Sequence, residues 1–285
     1  MRRFRRIAEG IAVAGIVLAL AGCIRPVTRT PSTPVPAAQT ETATTVLEYA
    51  VDLSDDAMTA PSELPAGLRS VTVNNTGQEW HAAIFRRLNA DVTMEQFTAA
   101  FQENPFGSLP LTTQLGGPDV APGESIRGVY QFEPGAYILV DNWTTPPRFT
   151  TFTVVESTEA DVQPPLASIT VEMKEHEFVM PATIAAGTQW WQFTNSGEHL
   201  HQAGIIKLHD GKTIEDVAAW LEDEQGPPPG DEVAFWNVMS PGEQSWGELT
   251  LPAGVYWVTD GLPDPTADFA SNMTLGMAKE ITVTE

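Results

Sequence analysis

Residues 74–85 read NNTGQEWHAAIF, and residues 194–206 read TNSGEHLHQAGII. Both contain Asn-x-Gly-x-x-x-His, first as Asn75, Gly77 and His81, then as Asn195, Gly197 and His201. The chain has 285 residues and only five histidines, so the recurrence asks for a cause. Working outward, Thr93-Met94-Glu95 matches Thr213-Ile214-Glu215, Pro122-Gly123-Glu124 matches Pro241-Gly242-Glu243, and PGAYILVD from Pro134 matches AGVYWVTD from Ala253. The offset holds at 119 to 120 residues. A fixed period signals a repeated structural unit. The sequence therefore predicts two copies of one domain, over 46–156 and 168–285, joined by a polar, Pro-containing linker at 157–167.

Runs such as SVTVNN, GVYQF, AYILV, FTTFTVV, SITVEM, QWWQFTN, WGELTL and KEITVT alternate or are β-branched, and Pro-Gly and Ala-Gly turns punctuate them. They predict an all-β chain of two tandem Greek-key sandwiches, antiparallel in build. Each copy carries one inserted short helix. Thr213 and Asp216 form a capping-box-like start, with Ile214, Val217, Ala218 and Leu221 on one face; Met94, Phe97 and Phe101 follow Thr93 in the same way.

The first 22 residues combine a basic start, MRRFRR, with an apolar run from Ile11 to Ala21. That composition predicts a secretory signal, because the apolar run is too short to span a bilayer. Leu20-Ala21-Gly22-Cys23 resembles the bacterial lipobox, which implies cleavage before Cys23, a lipid on that cysteine and an extracytoplasmic protein anchored to the cell membrane. Residues 23–45, rich in Pro, Thr and Ala, predict a disordered tether. Cys23 is the only cysteine, so no disulfide is available. The net charge of −22 repels phosphate backbones and excludes nucleic acid as a partner.

Asn-x-Gly-x-x-x-His after a strand resembles the cupredoxin, or blue-copper, family. HEFVMPATIAAGTQWWQFTNSG from His176 is similar to that family's opening strands, and GMAKEITV from Gly276 to its closing strand. The resemblance implies a Greek-key sandwich and asks whether a type 1 copper is held. Such a site needs two imidazoles, a thiolate and a weak axial thioether. Carried onto the second copy, it puts His201 at the first histidine position and Met277 at the axial position. Asp260 stands at the cysteine position and Asn272 at the second histidine position. In the first copy, His81 and Asp141 take the first histidine and cysteine positions, and the following NWTTPPRF contains neither His nor Met. The resemblance thus implies that blue copper is lost and that a His–Asp pair, His81 with Asp141 and His201 with Asp260, fills each vacated position.

A second reading stays open: His199, His201, Met277 and Asp260 hold copper or zinc in the second copy. His199 and His201 on a strand would share one face, and His176, His209, Met180 and Met273 lie elsewhere in the same copy. No nucleophile elbow, phosphate loop, dinucleotide fingerprint or His-Glu-x-x-His appears, so the expectation is a protein that is not an enzyme. The leading expectation is a non-enzymatic binding or scaffold module of the cell envelope, its partner an envelope protein or small ligand. It rests on Trp80, Trp143, Trp236 and Trp246 at expected loop edges and on a Pro-rich loop from Glu222.

Overall fold

The computed structural model describes residues 48–223 and 226–285. The signal, Cys23 and the tether lie outside the described residues. The first copy comprises β1 (Glu48–Leu53), β2 (Met58–Thr59), β3 (Glu63–Pro65), β4 (Gly67–Asn75), β5 (His81–Ala82), β6 (Ile84–Leu88), α1 (Met94–Glu103), β7 (Thr112–Gly116), β8 (Asp119–Val120), β9 (Ser125–Phe132), β10 (Gly135–Asp141) and β11 (Arg148–Val155). The second comprises β12 (Ile169–Lys174), β13 (Glu177–Val179), β14 (Thr183–Ala185), β15 (Gly187–Asn195), β16 (His201–Leu208), α2 (Ile214–Asp223), β17 (Gly230–Met239), β18 (Gln244–Leu251), β19 (Gly254–Thr259) and β20 (Ala278–Thr284). A 3-10 helix, Pro105–Leu111, follows α1 in the first copy.

The strands are not purely antiparallel as the sequence suggests. β1 pairs parallel with β4, and β12 with β15. Between them the chain crosses to the opposite sheet, where β3 and β14 add parallel to β11 and β20. Each copy therefore laces its two sheets together early. Strands with one solvated face alternate in burial, as in Ile169, Val171 and Met173 of β12. β10 is buried on both faces because α1 covers its outer side, with Phe97 and Phe101 packed among Ile84, Ile138 and Val140. Thr93 starts that helix with a full capping box, its hydroxyl accepting from Gln96 N at 3.2 Å and its own N–H donating to Gln96 Oε1 at 2.8 Å.

The two copies do not stay separate sandwiches. β9 pairs antiparallel with β18, and β7 meets β17 at Leu115 and Met239. This joins the copies into one eight-stranded sheet, β13-β12-β15-β18-β9-β4-β1-β2, over one ten-stranded sheet, β14-β20-β19-β16-β17-β7-β6-β10-β11-β3. At the seam Gly128 faces Gly247, residues 119 apart and hence equivalent in the repeat. The apolar core is continuous across it.

The tryptophan reading is corrected here for Trp236 and Trp246, while Trp80 and Trp143 stay part-exposed. Trp236 is fully buried at the seam, stacked on Tyr130 of the first copy and Phe193 of the second at 6.1 and 4.8 Å between ring centroids. Trp246 is buried as well. From Gly230 the expected Pro-rich loop is the ten-residue strand β17. The seam needs its apolar surface, which is why these rings are inside rather than offered to a ligand.

Candidate functional site

The repeated phrase forms a turn at one end of each copy. Asn75 Oδ1 accepts from Gly77 N at 2.8 Å, while its Nδ2 donates to Glu79 O and Val120 O, both at 2.8 Å. Asn195 repeats this with Gly197 N at 3.0 Å and with His199 O and Met239 O at 2.8 Å. A buried amide has donors and an acceptor to satisfy, and this turn satisfies both kinds. The Pro-Gly-Glu repeat belongs to the same assembly. Gly123 and Gly242, at φ +75° and +81°, donate their N–H to the carbonyls of Asn75 and Asn195. Only glycine adopts that region without cost.

The turn delivers each histidine inward, and both are 1% exposed. In the first copy His81 Nδ1 lies 2.8 Å from Asp141 Oδ2. Arg148, in the stretch NWTTPPRF, donates to the same oxygen from Nε and Nη2 at 3.3 and 3.1 Å. Asp141 Oδ1 accepts from Ala82 N and Trp143 N, each at 3.1 Å. A further carboxylate stands on the other side of the ring, with Asp55 Oδ1 3.2 Å from His81 Nε2. Asp55 also accepts the backbone N–H groups of Gln78 and Glu79.

Burial works against charge on His81, yet the hydrogen bond and charge of Asp141, with Asp55 behind them, outweigh it and raise the imidazole above its ordinary value. Burial likewise works against ionised Asp141, but its hydrogen bonds from His81, Ala82 and Trp143 hold it below the usual carboxylate range. The first copy thus encloses a cluster that favours ions.

The second copy has the same frame with different partners. His201 Nδ1 lies 2.8 Å from Asp260 Oδ2, which also accepts from Asn272 Nδ2 at 3.0 Å; Asp260 Oδ1 accepts from Leu262 N at 2.9 Å. No arginine is among these partners, and burial pushes the Asp260 carboxyl up. Glu175 stands where Asp55 does in the first copy, 120 residues on. Its Oε1 accepts from Glu198 N and, at 3.3 Å, from His199 N.

The other expected ligands are placed as follows. His199 precedes β16 rather than lying on it, so the two histidines do not share a strand face; its Nδ1 is 3.7 Å from Glu175 Oε1. Met277 is fully buried in the core, and Met273 and Met180 are buried too. His176 Nε2 lies 2.7 Å from Asp264 Oδ2 and His209 Nε2 lies 3.1 Å from Asp231 Oδ2. Sequence reasoning missed Asp55, Glu175 and Arg148. An acid at the same repeat offset was the signal for the first two, obscured by the many acids around them.

This donor set does not fit a type 1 copper. The described residues contain no cysteine, since Cys23 lies outside them, and a hard carboxylate already occupied by two or more donors replaces the soft thiolate in each copy. Asn272, which the resemblance puts at the second imidazole's position, offers an amide that donates to Asp260. Among the described residues no group of three His, Cys, Asp or Glu side chains is close enough to hold a metal as they stand.

No family profile matches the sequence, and no curated protein does. Solved structures that it resembles include auracyanin B, at 16% identity over 45% of this chain and 96% of that one with a TM-score of 0.31. A dithionite-reduced auracyanin from Roseiflexus castenholzii shares 23% identity over 41% and 95%, with a TM-score of 0.30. The copper nitrite reductase of Nitrosomonas europaea shares 11% over 84% and 94%, with a TM-score of 0.26. The chain's own strand order, its duplication and the histidine turn at one end of each copy make the fold a tandem of cupredoxin-like Greek-key sandwiches.

Proposed function

We propose that the chain is a non-enzymatic binding or scaffold module, held at the outer face of a cell membrane by a lipid on Cys23, in which neither sandwich keeps type 1 copper. The observation that carries this reading is that the ring nitrogen facing each vacated position is taken by a buried aspartate at 2.8 Å. Supporting the location is the lipobox-like Leu20-Ala21-Gly22-Cys23. The net charge of −22 speaks against nucleic acid, and the partner we propose is an envelope protein or small ligand.

Adding Cu(II) to the purified full-length chain tests the first part: the expected spectrum lacks the intense blue thiolate-to-copper band, and its appearance would refute the reading. Fatty-acid labelling in a bacterial host tests the second. The label should be incorporated and should vanish in Cys23→Ser; an unlabelled wild-type chain in the membrane fraction would contradict it.

A further inference from the structure

One spot in the second copy is left open where the first copy is closed. His201 spends Nδ1 on Asp260, but its Nε2 is buried with no hydrogen-bond partner, and so is Nδ1 of His199. Both nitrogens face one oxygen, Glu175 Oε1, at 3.8 and 3.7 Å. Gly197 keeps the space between them clear, since a Cβ there would stand 2.5 Å from Glu175 Oε1 and 2.9 Å from His201 Nε2. In the first copy, His81 Nε2 closes on Asp55 at 3.2 Å and Glu79 occupies the place of His199. A buried polar atom left unpaired is costly. Two such atoms aimed at one carboxylate bring three potential donors to one place.

We propose that His201 Nε2, His199 Nδ1 and the Glu175 carboxylate form a site for a borderline divalent cation, Zn²⁺ or Cu²⁺. Two imidazoles with a carboxylate are a donor set such ions accept. Asp260 serves the site from behind. With the proton on His201 Nδ1 directed at Asp260, the lone pair of Nε2 faces outward, the arrangement by which a carboxylate orients a metal-binding histidine. A four-coordinate ion sits about 2.0–2.2 Å from each ligand, which sets neighbouring donor atoms about 3.3 Å apart. The contacts of 3.7 and 3.8 Å therefore have to tighten by roughly half an ångström on binding. His199 and Glu175 have the freedom to do so, their side chains being 28% and 38% exposed, while His201 is fixed by Asp260. The ion lies on the opposite ring nitrogen from the vacated copper position, so the site does not depend on the preceding reading.

The test is equilibrium dialysis of the full-length chain, stripped with chelator, against Zn(II), with bound zinc measured by elemental analysis. One zinc per chain is expected, and it should be lost in both His199→Ala and Glu175→Gln, two part-exposed positions whose variants are checked for folding by near-ultraviolet circular dichroism. His209→Ala, at the surface pair with Asp231, should keep it. No bound zinc in the wild-type chain, or zinc retained in either folded ligand variant, overturns the proposal. Zinc is colourless, so this result is separate from the Cu(II) spectrum that tests the loss of type 1 copper.

Discussion

Asp141 and Asp260 are alike in position and opposite in electrostatics. Asp141 receives the Arg148 guanidinium, His81 and two backbone N–H groups, whereas Asp260 receives His201, an amide and one backbone N–H. Asp141→Asn sets a neutral amide, with a donor in place of one acceptor oxygen, against the buried His81 ring and the part-exposed Arg148 guanidinium, and should cost about 3–5 kcal/mol. Asp260→Asn turns one acceptor oxygen into a donor facing donors but leaves no guanidinium behind; about 1–3 kcal/mol is expected. Urea unfolding of the two variants checks the order, and equal losses would contradict the difference. The pH dependence follows the same asymmetry. His81 is raised in the folded chain, so its stabilisation is complete below its unfolded value of 6.5 and fades as pH climbs through the folded value. Asp141 is lowered, so its contribution is present above 3.8 and fades as pH falls through its folded value. Asp260 runs the other way, its burial favouring the protonated acid. The stability gap between wild type and His81→Gln should therefore be wide near pH 6 and narrow by pH 9, measured as urea midpoints. Of this site, the His–Asp pairs were named because the resemblance sets those positions opposite each other and the repeat shows the same two residue types in both copies. Arg148 was not named, because a search for metal ligands passes over a cationic side chain.

At the scale of elements, the seam rests on two facing glycines with different neighbours. A Cβ on Gly247 would stand 2.3 Å from Trp236 Cζ3, and that ring cannot retreat because Tyr130 and Phe193 hold both its faces. Gly247→Ala should cost about 1–3 kcal/mol by overpacking. Gly242→Ala makes the contrast, since nothing lies within 4 Å of its added Cβ and only its φ of +81° resists, at about 1–2 kcal/mol. Thermal unfolding of both, with Gly247→Ala also losing the near-ultraviolet signal of Trp236, would separate packing from backbone strain; an unchanged aromatic signal would contradict the seam contact. The strands and both helices could be read from alternation and capping residues such as Thr93. The pairing of β9 with β18 could not. An edge strand that will meet its own repeat carries the same alternation as one that meets water, and the small residue that permits the approach looks like any strand glycine.

For the whole molecule, the question is whether the duplication yields two domains or one cooperative body. The linker at 157–167 argues for two in sequence, but the contacts across the seam argue for one. Asn237 Nδ2 donates to Asp119 Oδ1 at 2.6 Å, Gln114 N to Ser240 Oγ at 2.9 Å and Ser240 N to Gln114 O at 2.9 Å, all between copies. Even the linker is pinned, with Asp161 Oδ1 accepting from Leu68 N at 3.0 Å and from Arg69 Nη1 at 3.2 Å. Trp236 belongs to the cores of both copies at once, so neither copy can unfold without exposing it. Trp236→Ala should cost about 3–5 kcal/mol, and that loss should fall on one shared transition. Far-ultraviolet and near-ultraviolet signals are expected to give coincident midpoints in the wild type and to move together in the variant, as two-state behaviour requires. Two transitions in the wild type, or a variant in which only one of two transitions shifts, would mean that the continuous sheets are a docking of independent domains rather than a single folding unit.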